Sequence, residues 1–233
     1  MPSAVRFTTG TDYYFNTAGM IAAAPFTVAF WGKIVVDRNT WSTFCGFDLS
    51  TANQFLMETS SDGTNLALYH VNSGERLTGQ MTVGTWYKIA FVVSGTTVTC
   101  WRAAAGSAVA SVSAGTYTAF TPTTFDIGAC RRNVNEFLNG SVAAVKIWSA
   151  ALTQAEIDAE FTQYDPIRIA NLNRYYSFGW GPQLNDQSGN GRTLTQGAAA
   201  PTEDTSGPPI PVSKMKLPMV IPRPVAVADS FNW

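Results

Sequence analysis

Glu156-Ile157-Asp158-Ala159-Glu160 sets three carboxylates at every second position of a 233-residue chain. Two carboxylates flanking one sugar bond perform glycoside hydrolysis, about 5 Å apart when the configuration is retained. On a β-strand, residues 156, 158 and 160 would share a face. On a helix, at about 100° per residue, Glu156 and Glu160 stay together while Asp158 points nearly opposite. The neighbouring residues are helical in pattern. Thr153 and Glu156 have the spacing of a capping box, and Ile157, Phe161 and Tyr164 form one apolar stripe at i, i+4 and i+7. Asp165-Pro166 then stops the helix. The spacing therefore predicts a solvated acidic helix face, with no catalytic residues.

Other chemistry-bearing residues are sparse. The single histidine, His70, has no nucleophile motif around it and is expected on a sheet surface. Cys45, Cys100 and Cys130 form no close-spaced ligand pair, so zinc is not indicated. Their odd number suits three buried thiols, with one disulfide as the alternative. Calcium is the one ion with candidate oxygen ligands, Asp62 with Asn65 and Asp186 with Asn190. Each of those segments is equally well explained as a turn whose Asp or Asn bonds its own backbone, so no cofactor is predicted. A glycan would need an exposed aromatic platform, for which Trp41, Trp101 and Trp180 are the candidates, with Tyr13 and Tyr14 behind them.

These residues must be held by β-structure. Fourteen Phe, eight Tyr and seven Trp against only 13% charged residues indicate a packed core. Phe26–Val36 is rich in branched and aromatic residues. Tyr87, Ile89, Phe91 and Val93 alternate onto one face, and Leu172–Phe178 is a further strand-like run. Ser94-Gly95, Asp62-Gly63 and Asn139-Gly140 read as hairpin turns. Many short strands with turn signals between them predict an antiparallel sandwich or barrel.

Composition changes after Gly197. Seven of the twelve prolines lie between Pro201 and Pro224, which favours extended chain over helix or central strand. Yet Ile210, Val212, Leu217, Met219, Ile221, Val225, Phe231 and Trp233 are interspersed, more apolar groups than a solvated linker needs. Residues 1–197 are expected to form the folded domain, and 198–233 an extended arm that docks through those apolar side chains on a partner or, as the alternative, folds back on its own domain. Net charge is −1 with a pI near 5.8, which argues against nucleic acid as a partner. No apolar run reaches membrane-spanning length, and the start of the sequence has no signal-peptide pattern.

Phe26-Thr-Val-Ala-Phe-Trp31, Gly84-Thr-Trp-Tyr-Lys-Ile-Ala-Phe91, Gly140-Ser-Val-Ala-Ala-Val-Lys-Ile-Trp148 and Leu152-Thr-Gln-Ala-Glu-Ile157, in that order, resemble a laminin-G-like domain of the concanavalin A-like lectin/glucanase superfamily. Asp186-Gln-Ser-Gly-Asn-Gly191 resembles a turn of the same family, placed here after the helix, so the terminal strands are expected to be arranged differently. The resemblance covers roughly residues 4–197. It implies an all-β jelly-roll sandwich of two antiparallel sheets, with one short helix and the Pro-rich arm outside it. It also implies packing roles for Trp31, Trp86 and Trp148. In one glucanase branch the catalytic acids have the spacing of Glu156, Asp158 and Glu160.

The expected function is non-enzymatic: a structural or binding subunit of a large assembly, such as a phage capsid decoration or other virion protein. It would be made in the host cytoplasm without a signal peptide. Its partners would be capsid subunits or sister copies, with a cell-surface glycan as a further ligand and no nucleic acid or membrane. A carbohydrate-binding module is the alternative, and a glycoside hydrolase the third reading.

Overall fold

The computed structural model describes residues 3–21, 23–50, 53–70, 74–130 and 135–210. In chain order the elements are β1 (Ala4–Phe7), β2 (Tyr14–Asn16), β3 (Phe26–Ile34), β4 (Ser42–Ser50), β5 (Asn53–Thr59), β6 (Asn65–His70), β7 (Gly74–Gln80), β8 (Tyr87–Ser94), β9 (Thr97–Ala104), β10 (Ala110–Thr116), β11 (Thr124–Ile127), β12 (Gly140–Trp148), α1 (Gln154–Glu160), β13 (Leu172–Tyr176), β14 (Thr195–Gln196) and β15 (Thr202–Asp204). They form two sheets whose strands pair antiparallel. One sheet runs β10-β9-β8-β3-β12-β1-β15, with β13 also pairing β12. The other runs β14-β2-β11-β4-β5-β6-β7. Among the described residues the fold is the all-β jelly-roll sandwich with one short helix.

Between the sheets lies an aromatic core. Phe26 meets Phe55 at 5.5 Å and Tyr117 at 5.4 Å, both edge to face, the orientation that ring quadrupoles favour. A second cluster covers the outer face of the eight-stranded sheet. Trp31, Trp86, Trp148, Ala90 and Ala143 pack there against Ile157, Phe161 and Tyr164 of the helical segment. Trp31 and Phe161 are edge to face at 5.6 Å. This two-sided burial is why β3 and β12 are buried along their whole length and read as continuous apolar runs.

β12 changes partner midway. Its first half pairs β1 and its second half pairs β13, with an irregularity at Ala143–Lys146. Ala144 there has φ 49°, and its N–H donates to the Ser177 carbonyl at 2.8 Å. Beside the β12–β13 junction the guanidinium of Arg174 is fully buried. It donates to the carbonyls of Ala18 at 2.6 Å and Gly19 at 3.0 Å and so ties β13 to the loop after β2.

The hairpins expected at Ser94-Gly95 and Asp62-Gly63 form, between β8 and β9 and between β5 and β6. The one expected at Asn139-Gly140 does not. Gly140 is the first residue of β12, and a Cβ there would lie 2.3 Å from the Lys33 carbonyl oxygen. Glycine serves close strand approach at this position, and the Asn139 carbonyl accepts from the N–H groups of Val35 and Val36. The sheet also continues past residue 197, where the compositional boundary was expected. Residues 202–204 pair with β1, because Thr202-Glu203-Asp204 is a proline-free stretch able to add a short edge strand.

Candidate functional site

The acids of the helix have separate structural tasks. Glu156 completes the capping box: its Oε2 accepts from the Thr153 N–H at 2.8 Å while Thr153 Oγ1 accepts from the Glu156 N–H. It also pairs with Arg168. The Thr153 N–H and hydroxyl, together with Arg168, hold its carboxyl below the usual range. Asp158 accepts from the Val109 N–H at 3.2 Å and anchors the loop before β10. Glu160 is buried, accepting from Lys146 Nζ at 3.0 Å and from the N–H groups of Ile167 and Arg168. Lys146 also donates to the carbonyls of Glu160, at the last position of the helix, and of Gln163 and Asp165 in the turn after it, placing a cation at the helix C-terminus. Burial pulls the lysine pKa down, and Glu160 works against that shift. No two of these carboxylates converge on an open cleft, so this cluster lacks the geometry of a hydrolase pair.

The three tryptophans do not form one platform. Trp41 is half-buried just before β4, in the seven-stranded sheet. Trp101 is half-buried on β9, on the outer face of the other sheet and packed against the outer cluster. Trp180 is 49% exposed in the loop after β13. That loop is anchored: the Gly179 carbonyl accepts from the Ser3 N–H, and Gly181 lies against Glu203. Tyr13 is half-buried on the strand-facing approach to β2, whereas Tyr14 is part of the inner core.

Nor do the calcium candidates fit a calcium ion. Asp62 accepts from the Ser60 hydroxyl and from the N–H groups of Asn65 and Thr64, which hold its carboxyl well below the usual range. The Asn65 amide also points a donor at it. Burial raises the Asp186 pKa, but the N–H groups of Arg192, Ser188 and Tyr175 outweigh this and leave it lowered. The amide nitrogen of Asn190 donates to the carbonyls of Leu172 and Asn173. These oxygens are surrounded by N–H donors, whereas calcium needs six to eight free oxygen ligands. Among the described residues no group of three His, Cys, Asp or Glu could hold a metal. The three cysteines are free and buried, and the side chain of His70 lies outside what is described.

Two arrangements went unread in the sequence. On the outer face of the seven-stranded sheet, Asp48, Gln54, Glu58, Thr124 and Asp126 are all buried. Asp48 lies opposite both Gln54 and Thr124, and Asp126 opposite Gly46, so the two aspartates are diagonal neighbours on one face. Their alternation with core residues along β4, β5 and β11 is the signal that could have revealed them.

The second arrangement is a strap formed by residues 202–210. Asp204 pairs with Lys33 at 2.7 Å and accepts from the hydroxyls of Ser141 at 2.5 Å and Ser206 at 2.6 Å. The Trp86 indole N–H donates to the Ser206 carbonyl at 2.8 Å, and the Lys33 ammonium lies 4.7 Å from the centre of that ring. Beside these bonds is an open depression of about 260 Å³ lined by Arg6, Lys33, Val35, Glu203, Asp204, Thr205 and Ser206. The strap ends on Ile210, buried in the outer cluster with Trp86 and Phe161. A lysine inside the apolar run Phe26–Val36 was the available hint of a buried ion pair. Of the arm residues, Ile210 is thus packed on its own domain. Val212, Leu217, Met219, Ile221, Val225, Phe231 and Trp233 lie outside the described residues.

Comparison with known proteins bears on the fold. No curated protein matches the sequence. Among solved structures, similar ones include a candidate carbohydrate-binding protein from Bacteroides ovatus (14% identity, TM-score 0.64, covering 91% of this chain and 62% of that one). The chain thus spans less than two thirds of that protein. A heptameric SAP-like pentraxin from Limulus polyphemus (18% identity, TM-score 0.53) is covered over 94% of its length by 84% of this chain. Trypanosoma rangeli sialidase (16% identity, TM-score 0.53) is matched over 27% of its length by 69% of this chain. At such identities the likeness is one of fold. Residues 8–158 match the family model described as concanavalin A-like lectin/glucanases superfamily, and the chain belongs to that superfamily.

Proposed function

We propose that this protein is a non-enzymatic, lectin-like subunit of a larger assembly. It would be held there by the Pro-rich segment that follows Ile210. The observation that carries this reading is the strap. Residues 202–210 are built into the sandwich by a strand pairing, an ion pair, an indole hydrogen bond and a buried isoleucine. The next 23 residues therefore start from a fixed point on the domain. A proline-rich segment loses less conformational entropy on docking than a flexible one, and its apolar side chains can fill pockets on a neighbour. The structural use of Glu156, Asp158 and Glu160 supports binding over hydrolysis. A virion lattice is the assembly proposed, with the sandwich displayed and the segment clasping capsid subunits or a sister copy.

The test keeps the chain at full length and replaces Leu217, Met219 and Ile221 together by Asp. Light scattering after size exclusion should show an oligomer for the unaltered protein and a folded monomer for the variant. A monomeric unaltered protein that also fails to join particles would end this reading.

A second reading, carbohydrate binding, is favoured by the half-exposed Trp180 on its anchored loop. Under it, the domain binds a glycan on an array and Trp180→Ala loses the signal, while Trp101→Ala keeps it.

A further inference from the structure

We propose that the depression beside the strap is a binding site for a small carboxylate, received by the guanidinium of Arg6 with help from the hydroxyl of Thr205. The site is separate from the helix acids and from Trp180, and it is independent of any assembly through the segment after Ile210.

Strand alternation decides which side chains face the depression. Arg6 lies opposite Ser141 on β12, and Ser141 lies opposite Lys33 on β3, so the three form a row across the sheet. Asp204 lies opposite Ala4 of the outer cluster and bonds both Ser141 and Lys33, which places it over the same outer face. Glu203 borders the depression but lies opposite Val5, a residue of the inner core, so its side chain turns to the other face. It packs there against Gly181, where a Cβ would be 3.3 Å from its Cγ and Cδ.

Unused hydrogen-bond capacity selects the ligand. Asp204 is spent: it accepts from Lys33, from the hydroxyls of Ser141 and Ser206 and from the Ser206 N–H. Lys33 is spent as well, on Asp204 and on the Ser206 hydroxyl. Arg6 is not. Its Nη1 donates to the carbonyls of Phe7 at 2.5 Å and Gly140 at 3.0 Å, and its Nη2 to Asn139 Oδ1 at 2.6 Å. The Nε–H and one Nη2 hydrogen are left without a partner among the described residues. They belong to the edge of the guanidinium that a carboxylate grips with two parallel bonds.

The charge of Arg6 is also unanswered. Asp12, the other acid near it, accepts from the N–H and hydroxyl groups of Thr8 and Thr9. Burial pulls the Arg6 pKa down, and Asp204 and Asp12 push it up by less. A half-buried cation with spare donors and no ion pair suits an anion. One unmatched charge suits a monoanion, since a phosphate dianion would set its second charge beside Asp204. Thr205 is exposed on the rim, and Val35 gives an apolar wall for the remainder of a small molecule.

The experiment titrates the full-length, isotope-labelled protein with acetate, acetamide and inorganic phosphate. Ionic strength is held constant with sodium chloride, and NMR follows the Arg6 Nε–H and the amides of Thr205 and Ser206. Acetate should shift these signals saturably. Acetamide has the same shape without the charge and should bind roughly tenfold more weakly or worse. Arg6→Lys keeps the charge but loses the paired donors, so acetate binding should also fall roughly tenfold or more. Thr205→Glu, at an exposed position, should abolish acetate binding with an unchanged melting temperature, because its own carboxylate would occupy Arg6. Shifts that rise linearly with acetate, equal binding of acetamide, or phosphate binding tighter than acetate would each overturn the carboxylate assignment. Saturable acetate binding that survives both Thr205→Glu and Arg6→Lys would overturn the placement of the site on Arg6.

Discussion

On its inner face the eight-stranded sheet meets a second sheet, and on its outer face it meets a seven-residue helix and a strap of chain. The inner contact is a continuous field of rings and aliphatic side chains, with Phe26, Phe47, Phe55 and Phe91 at its centre. Little there depends on direction or charge. The outer cluster is also apolar, but its cover is short and is fastened by polar bonds: the capping box, Lys146 with Glu160, and Lys33 with Asp204. A helix of this length is not stable by itself, so those fastenings and the apolar stripe decide whether the cover stays closed. Loss of an inner contact should weaken the whole fold, whereas loss of a fastening should loosen one side.

The largest effect expected is from Phe55→Ala, which leaves a cavity where Phe26, Phe91 and Tyr117 meet: about 3–5 kcal/mol of stability, read from denaturant unfolding. Its transition should remain single, because both sheets line the cavity. Lys146→Met should cost about 3 kcal/mol, since it strands a buried carboxylate and the carbonyls of Glu160, Gln163 and Asp165. Adding Glu160→Gln to Lys146→Met should recover part of that loss, because the charge is then gone and the amide oxygen can still accept from Ile167 and Arg168. A double variant no more stable than the single one would show that the lost carbonyl bonds, and not the unpaired charge, set the cost.

The difference in physics also explains what could be read from the sequence. The helix was legible because capping box and stripe are local, and its geometry alone separated Asp158 from its two neighbours. The strands were legible from their aromatic runs, and the family from the order of those runs. The strap was not, because Lys33 and Asp204 are far apart in the chain and Thr202–Asp204 sits among prolines that read as an extended arm outside the sandwich. Asn139-Gly140 was misread because a glycine needed for close approach to the Lys33 carbonyl looks, in sequence, the same as one needed for a turn. The buried polar row of Asp48, Gln54, Glu58 and Asp126 was hidden among the core residues with which it alternates. Trp41, Trp101 and Trp180 were grouped by residue type, and only the topology shows that they lie on separate elements.

Acid should separate the two faces further. The Asp204 pKa is lowered to about 2: burial pushes it up, but Lys33 and the hydroxyls of Ser141 and Ser206 outweigh that. A carboxylate depressed in the folded state stabilises above its unfolded pKa, about 4, and that contribution is lost as pH falls from there through 2. Asp204→Asn should therefore flatten the acid limb of the stability profile between about pH 4 and pH 2 and be least stable relative to the unaltered protein near neutrality. Glu156, Asp62 and Asp186 are lowered as well, so the limb should be shallower and still present. An unchanged limb in Asp204→Asn would mean that the strap is held by Ile210 and the Trp86 bond, and not by charge.

The smallest effect, and the sharpest test of the comparison, is Thr153→Ala. It removes the hydroxyl that accepts from the Glu156 N–H and leaves Glu156 bonded to Arg168 and to the residue 153 N–H. The loss should be about 1 kcal/mol, the usual value for an N-cap. Its distribution matters more than its size. If the outer cover opens as a unit of its own, amide exchange should quicken in residues 154–164 while Val28, Phe30 and Phe91 keep their protection. Trp31 fluorescence should then respond at lower denaturant than the global transition, because Phe161 rests on that ring. Equal acceleration on both faces would mean that the helix and the inner core unfold together, and that the two faces, though differently built, belong to one cooperative unit.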